Sequence, residues 1–411
     1  MNSSPFDVII IGGGPAGLAC ALGVGWRHLS VLLLEKKEHL GRKLLISGTG
    51  QCNLTHSGSV DAFLDHYGDT SKGRFVKPAL YHFTNGDLCE FIQNHGITLE
   101  ETDGGKIFPA SRRSKDIVEL FRSQCDKHGV TFAVNSSVKT IKKEDGLFHV
   151  QTDANRFLSR NLVLATGGCS YPATGSTGDG YRLAADLGHT ITPIRPGLTP
   201  VIAADYRLAD CSGISVADVG VTYIRATGKK EKRTIRGPVL LTHRGISGPA
   251  VLDFSRHLAP GDTLILNWLG DTTRESLNTY LTQTLAENGR KTLKNTLRFT
   301  GLPERLIATI LESNGILPDM PSCKVARFVR ETIASRLTGF PLKIKSLGGF
   351  DEAMVSVGGV TLSETDRNTM QSRKVPGLFF CGELLDIDGD TGGYNIQFAI
   401  SSGFLAAAKL A

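Results

Sequence analysis

Near the N-terminus, Gly12-Gly13-Gly14-Pro15-Ala16-Gly17 fits the spacing GxGxxG. The residues before it, Asp7 to Ile11, form a β-branched run suited to a buried parallel strand. Those after it, Pro15 to Leu22, are small or apolar and suit a helix. Gly12 allows a tight turn, Gly14 lets the backbone approach a pyrophosphate, and Gly17 lets the helix pack closely on the strand. The start of such a helix offers free N–H groups and the positive end of its dipole to phosphate. A second apolar run, Ser30 to Glu35, ends in an acid able to accept hydrogen bonds from ribose hydroxyls. The glycines alone would fit any structural turn. In this strand–turn–helix–strand setting they predict dinucleotide binding.

The other end of the chain narrows the choice of dinucleotide. Gly382-Glu383 follows the apolar run Leu378 to Cys381, and Gly392-Gly393-Tyr394-Asn395 then opens a helix. A carboxylate there is placed to bind a ribitol hydroxyl. A helix N-terminus aimed at a flavin's pyrimidine edge would stabilise the negative charge of its reduced form. A site made by both chain ends suits non-covalent FAD rather than NAD; a solvated loop acid is the competing reading of Glu383. A third cluster, Ala165-Thr166-Gly167-Gly168, ends another strand and lets backbone pass close to a cofactor. Only one complete GxGxxG is present, so NAD(P)H is expected as a transient electron donor without a domain of its own.

Candidates for proton transfer are few. Tyr171 follows the third glycine cluster, His243 and Arg244 lie in LTHRGISGP, and Tyr394 stands at the last helix entry. Each has a structural alternative: packing for the tyrosines, fixing a turn for His243. Cys52 invites a redox-thiol reading but has no partner cysteine nearby, which favours a small packing residue. The basic run Arg112-Arg113-Ser114-Lys115 reads as a solvated face or helix start before a phosphate site.

These residues need a fold to position them. The 411 residues, 40% hydrophobic and 21% charged, allow two or three domains with a substantial core. A net charge of +6 is too small for this length to argue for nucleic acid, and no dense basic stripe with interleaved aromatics is evident. Expected instead are a small-molecule substrate and no nucleic-acid partner. The eight cysteines form no CxxC pair and no zinc-ligand spacing, so no metal is expected. They read as reduced thiols of a cytoplasmic protein. The apolar opening is broken by glycines, and neither a signal peptide nor a membrane span is expected.

Val130 to Leu164 reads as short strands in an antiparallel meander followed by a return strand. A boundary falls near Pro193 to Pro200. Beyond it, Val201 to Leu269 has β character, with the charged run Lys229 to Arg233 as a hairpin tip, and Thr272 to Arg336 reads as helices. From about Leu347 the chain is again glycine-rich and strand-like. The expected division is 1–192, an insert at 193–346 with helices at about 272–336, and 347–411.

The motifs IIGGGPAGL, GRKLLISGTGQCNLTH, LATGG, LTHRGISGPAVLDFS, VSVGGVTL and GLFFCGELLDIDGDTGGYNIQFAISSG together resemble the YhiN/BaiN-type NAD(P)/FAD-dependent oxidoreductases, also labelled aminoacetone oxidase-like FAD-binding enzymes. The resemblance spans nearly the whole chain. It implies an α/β fold, a Rossmann-type FAD domain interrupted by a β-barrel and a helical subdomain. It carries the family's FAD contacts onto Gly12, Gly14, Ala16, Gly17, Glu35, Lys36, Lys43, Cys52, Asn53, Thr166 and Gly167. Val138 is implied at the adenine, and Glu383, Asn395, Ile396 and Gln397 at the flavin. One position departs: Gln51 stands where many members carry Arg. The activity implied is NAD(P)H-dependent reduction of an organic acceptor such as an activated C=C bond. An FAD-dependent oxidase of a small amine, and an FAD-containing binding protein with little turnover, are the alternatives.

Overall fold

The computed structural model describes residues 4–102, 104–226 and 233–410. They form two compact units, Met1–Gly197 together with Ala353–Ala411, and Leu198–Glu352.

The first unit is built on a sheet with seven strands among the described residues. Their order is Thr131–Ala133, Val31–Leu34, Phe6–Ile11, Arg156–Leu164, Leu147–Thr152 and Val138–Glu144, with Leu378–Phe380 also beside Arg156–Leu164. The first strand, Phe6–Ile11, lies parallel between two neighbours, and Val8, Ile9 and Ile10 are completely buried. Each such side chain contributes about 1.5–3 kcal/mol of burial, which explains the unbroken apolar stretch from Val8 to Ile11. Arg156–Leu164 has two partners on its far side. Leu147–Thr152 pairs antiparallel with residues 156–159, and Leu378–Phe380 pairs parallel with residues 162–164. The strand near the C-terminus thus occupies the stretch of edge that the hairpin leaves.

The strand Thr131–Ala133 departs from the expected meander. It pairs parallel with Val31–Leu34, at the opposite end of the sheet from Val138–Glu144. The reason is the helix Ser114–Lys127 before it, a crossover that returns the chain in the parallel sense. The antiparallel part begins only at Val138.

The first helix, Pro15–Gly25, and the C-terminal helix, Tyr394–Lys409, pack side by side at glycines. A Cβ on Gly403 would stand 2.4 Å from the Ala16 carbonyl oxygen, and one on Gly23 would stand 2.7 Å from Ala407 Cβ. Residue numbers rise together along this contact, so the two helices run the same way and start toward the same end of the sheet. A small sheet of Thr55–His56, Lys106–Pro109 and Leu99–Glu101, absent from the sequence reading, supports the start of the C-terminal helix.

The second unit holds a closed barrel. Its strands run in the order Val201–Ala203, Gly245–Ser247, Arg233–Leu241, Ser215–Ile224, Thr263–Asn267 and Phe340–Leu347. Helices Arg274–Glu287, Glu304–Glu312 and Arg327–Thr338 are inserted before the last strand and share the barrel's core, where Val221, Leu264 and Trp268 cluster with Leu281, Ile307 and Leu337. The chain therefore adopts the expected α/β fold with its barrel and helical insert. Of the charged run Lys229 to Arg233, residues 229–232 lie outside the described residues.

Candidate functional site

The turn after the first strand is held by close backbone packing. Gly12 has φ +109°, and a Cβ there would stand 2.4 Å from the Ala165 carbonyl oxygen. A Cβ on Gly17 would stand 1.9 Å from the Gly12 oxygen. With Ala165 N–H donating to Ile11 O at 2.9 Å, the first and third glycine clusters lie against each other. Gly14 is different: nothing lies within 4 Å of its Cβ position, and it caps the first helix without any side chain bonding the first-turn N–H groups. A face that is open there, next to uncapped N–H donors, admits a phosphate oxygen.

Glu35 is anchored at the end of the second strand. Its Oε2 accepts from Gly13 N–H and its Oε1 from Lys37 N–H, both at 2.8 Å. Each carboxylate oxygen keeps a further lone pair for a hydroxyl donor. Ser136 N–H donates to the Glu35 carbonyl at 2.9 Å, which brings the start of Val138–Glu144 beside it; the Val138 side chain is buried. Lys36 turns elsewhere, donating to Thr177 Oγ1 and Asp179 Oδ2 at 2.6 Å each. Burial raises the Asp179 pKa, but the Lys36 hydrogen bond and charge outweigh it and hold the carboxyl below its usual range.

Four distant segments meet at Glu383. Its Oε2 accepts from Lys43 Nζ at 2.6 Å, and its Oε1 accepts from Ser356 N–H at 2.7 Å and Ser170 Oγ at 3.2 Å. Ser356 Oγ in turn accepts from Cys169 N–H at 2.7 Å. Glu383 is thus an ion-paired, mostly buried acid and not a solvated loop residue.

The C-terminal helix starts at Gly393, φ +96°, where a Cβ would stand 2.6 Å from Thr55 Cα; no side chain caps it. Thr55 Oγ1 donates to Gln397 Oε1 at 2.7 Å, and Gln397 Nε2 donates to Phe83 O and Ser401 Oγ. The Gln397 amide is therefore engaged inside the protein. Asn395 closes the preceding loop, accepting from Gly389 N–H at 2.8 Å and donating to Gly389 O at 2.9 Å. Ile396 packs against the core. What Asn395 and Ile396 offer a ligand is main-chain N–H in the helix's first turn. Under the loop, Lys72 on the helix Thr70–His82 bonds Asp386 at 2.9 Å and Asp388 at 2.6 Å. Burial would lower the Lys72 pKa, but the two carboxylates outweigh it and lift it above the usual lysine range.

Cys52 is completely buried with φ +61°, and burial pushes its thiol up to about 12. That is a packed, unreactive sulfur. Asn53 Oδ1 and Thr166 Oγ1 are buried with no hydrogen-bond partner among the described residues. Gln51 is exposed. Tyr171 is half-buried in a left-handed conformation, one residue after Ser170. The Tyr394 ring is buried in a stack, 4.1 Å from the His66 ring centroid and 5.2 Å from that of His56, nearly parallel to both. His243 belongs to the other unit, exposed in the turn where Thr242 N–H bonds Gly245 O.

Sequence reasoning missed Ser170, Ser356, Lys72, His56 and His66. Ser356 and His56 lay within motifs already singled out, VSVGGVTL and GRKLLISGTGQCNLTH; Ser170, Lys72 and His66 carried no local signal. The donor set fits FAD: an open glycine face at one uncapped helix, a second uncapped helix from the other chain end, an anchored acid, and two buried polar atoms in need of partners. Among the described residues no group of three potential metal ligands occurs, and no helix is long and apolar enough to cross a membrane.

A site of this kind on this fold belongs to the FAD-dependent oxidoreductases of Rossmann type. The model of the HI0933-like protein Rossmann domain matches residues 6–409, and the chain is a member of that family. It is 34% identical to the ribosomal RNA dihydrouridine synthase of Escherichia coli (strain K12), over 98% of each chain. It is 31% identical to the 3-dehydro-bile acid delta(4,6)-reductase of Clostridium scindens, over 97% of each. In fold it is similar to a 3-ketosteroid delta1-dehydrogenase from Sterolibacterium denitrificans, with a TM-score of 0.52, 14% identity and 99% of each chain covered.

Proposed function

We propose that the protein is an FAD-dependent reductase that saturates a C=C bond conjugated to a carbonyl, that the acceptor is uracil in ribosomal RNA, and that NAD(P)H is the transient hydride donor. The observation that carries this reading is the end-to-end likeness to a ribosomal RNA dihydrouridine synthase. The bile-acid relative names a different acceptor but a bond of the same kind, a C=C in conjugation with a carbonyl. The reading departs from the expectation of a small-molecule acceptor with no nucleic acid, which rested on the small net charge of the whole chain and on the lack of a dense basic stripe with interleaved aromatics.

When bound, FAD supplies hydride transfer through its N5 atom. In this reading Gly12, Gly14, Ala16 and Gly17 present main chain and the first helix's N-terminus to the pyrophosphate. Glu35 accepts from the adenosine ribose, with Val138 toward the adenine; Lys36 contributes main chain, since its ammonium is held by Thr177 and Asp179. Thr166 and Gly167 line the middle of the cofactor. Lys43 and Glu383 hold the ribitol side. Cys52, Asn53, Asn395, Ile396 and Gln397 surround the flavin ring, with Cys52 and Gln397 acting through shape and main chain because their side chains are turned inward.

The test is to incubate the purified protein with unmodified ribosomal RNA and NADPH or NADH, digest the RNA, and weigh its nucleosides. The reading expects a uridine that has gained two hydrogen atoms. Reduction of a carbonyl-conjugated steroid, with RNA untouched, would keep the reductase and refute the acceptor.

A further inference from the structure

The chain's charge is unevenly divided. Residues 198–352 contain 21 Lys and Arg against 15 Asp and Glu, whereas the other unit has 25 of each. The whole excess of +6 therefore belongs to the unit of barrel and helices. Within it some cations are neutralised locally: Arg236 by Asp218 and Asp271, Arg244 by Glu352, Arg298 by Glu304, Arg327 by Glu331.

Of the cations outside these pairs, three gather at one place. A cavity of about 400 Å³ is lined by Arg207, Arg336 and Lys343, with Asp205 as its one acid. Arg207 donates to Ser313 O at 2.8 Å, and Arg336 Nε donates to Asn314 Oδ1 at 2.8 Å. Both guanidinium groups are thus oriented by neutral acceptors. Among the described residues, no carboxylate forms an ion pair with Arg207, Arg336 or Lys343. Tyr206 also lines the cavity. The turn that carries these residues follows the barrel strand Val201–Ala203, with Asp205 in a left-handed conformation and Ala204 N–H bonded to Lys343 O at 2.8 Å. Local backbone bonding therefore holds the turn of Arg207 against the strand of Lys343.

Three cations left unpaired around a concave site match a phosphodiester. Guanidinium groups fix phosphate oxygens through paired N–H donors, and an ammonium adds charge. The cavity is within the size range of small-ligand sites. We propose that residues 198–352 are the RNA-docking unit of this protein and that Arg207, Arg336 and Lys343 grip a backbone phosphate of the RNA. The proposal rests on the ribosomal RNA reading given above.

The test measures binding of the full-length, FAD-loaded protein to ribosomal RNA across a salt series. The triple variant Arg207→Ala, Arg336→Ala, Lys343→Ala is compared with wild type and with the charge-keeping pair Arg207→Lys, Arg336→Lys. FAD content and thermal midpoint serve as folding controls. Wild type should weaken steeply with salt. The triple variant should bind at least about 10-fold more weakly at low salt, with the slope of log affinity against log salt reduced by about 2. The lysine pair should keep the wild-type slope. If the triple variant binds RNA like wild type while wild type forms dihydrouridine, this docking site is wrong and the RNA reading stands. If the triple variant instead loses affinity for NADPH or inorganic phosphate alone, the cavity serves a small phosphorylated molecule and the proposal is overturned. If wild type neither retains RNA nor forms dihydrouridine, the reading and the proposal fall together.

Discussion

Lys43 Nζ and Glu383 Oε2 lie 2.6 Å apart although 340 residues separate them in the chain. The pair joins the N-terminal and C-terminal parts of one unit, and the Glu383 side chain is only 18% exposed. Removing one partner leaves a largely buried charge, which costs more than removing both. Lys43→Ala and Glu383→Gln should each weaken FAD binding about 10- to 100-fold, or about 1.4–2.7 kcal/mol. The double variant should weaken it by less than the sum, as read from a fluorescence titration of apoprotein with FAD. Additive losses would mean that the two residues act separately.

Gly14 and Gly17 should fail differently on substitution. Gly14→Val adds a side chain where nothing stands within 4 Å, so the apoprotein should keep its stability and lose FAD. Gly17→Ala places a Cβ 1.9 Å from the Gly12 oxygen, so the strand–helix contact must open and folding should suffer by about 2–4 kcal/mol. Thermal midpoints of the apoproteins, with bound FAD counted after denaturation, separate the two. A Gly14→Val protein with a full complement of FAD would remove the N-terminal turn from the site.

The contrast shows what the sequence could reveal. The glycine clusters were legible because backbone approach at Gly12 and Gly17 tolerates no other residue, so the constraint is written locally. The crossing of the two terminal helices also rests on glycines, Gly23 and Gly403, but their partner could not be read from either one alone. Lys72 was invisible, and Ser356 was passed over inside its motif, because nothing in their own neighbourhoods demands them; their partners Glu383, Asp386 and Asp388 come from another part of the chain. Asn395 and Gln397 were expected at the site from the resemblance, but the bonding of their side chains could not be read, since it depends on Gly389, Thr55 and Phe83. The charge of the barrel unit was countable from the start. It was hidden by averaging with a neutral partner unit.

The cysteines give a graded test. All eight are free, with Cys323 exposed and Cys20, Cys52, Cys125, Cys211 and Cys381 buried. Burial pushes both Cys52 and Cys125 up to about 12, so neither forms appreciable thiolate near neutral pH. In native protein Cys323 should react first with a thiol reagent and the five buried residues should wait for unfolding, after which eight equivalents are consumed. Rapid native labelling of Cys52 would contradict its role as packing.

Glu364 should make the protein sensitive to acid. It accepts from Lys374 Nζ at 2.6 Å and Thr190 N–H at 2.9 Å, and it contacts His189 Nδ1 at 3.1 Å. Burial alone would raise its pKa, but these bonds and the Lys374 charge lower it from 4.5 to about 2. A carboxyl whose folded pKa is depressed adds stability above its unfolded pKa and loses it as pH falls toward the folded value. The contribution, on the order of 2–3 kcal/mol, should be full at pH 7 and fade between about pH 4.5 and 2. Urea midpoints of wild type and Glu364→Gln should differ clearly at neutral pH and converge at about pH 2. A gap that does not change with pH would assign the loss to packing.

The central claim is that the bound flavin takes hydride from a nicotinamide and delivers it to a carbonyl-conjugated C=C bond. Anaerobic mixing of the holoprotein with NADPH or NADH, followed by unmodified ribosomal RNA, tests both halves by flavin absorbance. The account predicts that a nicotinamide bleaches the oxidised band, and that the RNA restores it faster than oxygen does while dihydrouridine appears in step. No bleaching by either nicotinamide, with rapid bleaching by a small amine and peroxide on admission of air, would contradict it and make the protein an oxidase.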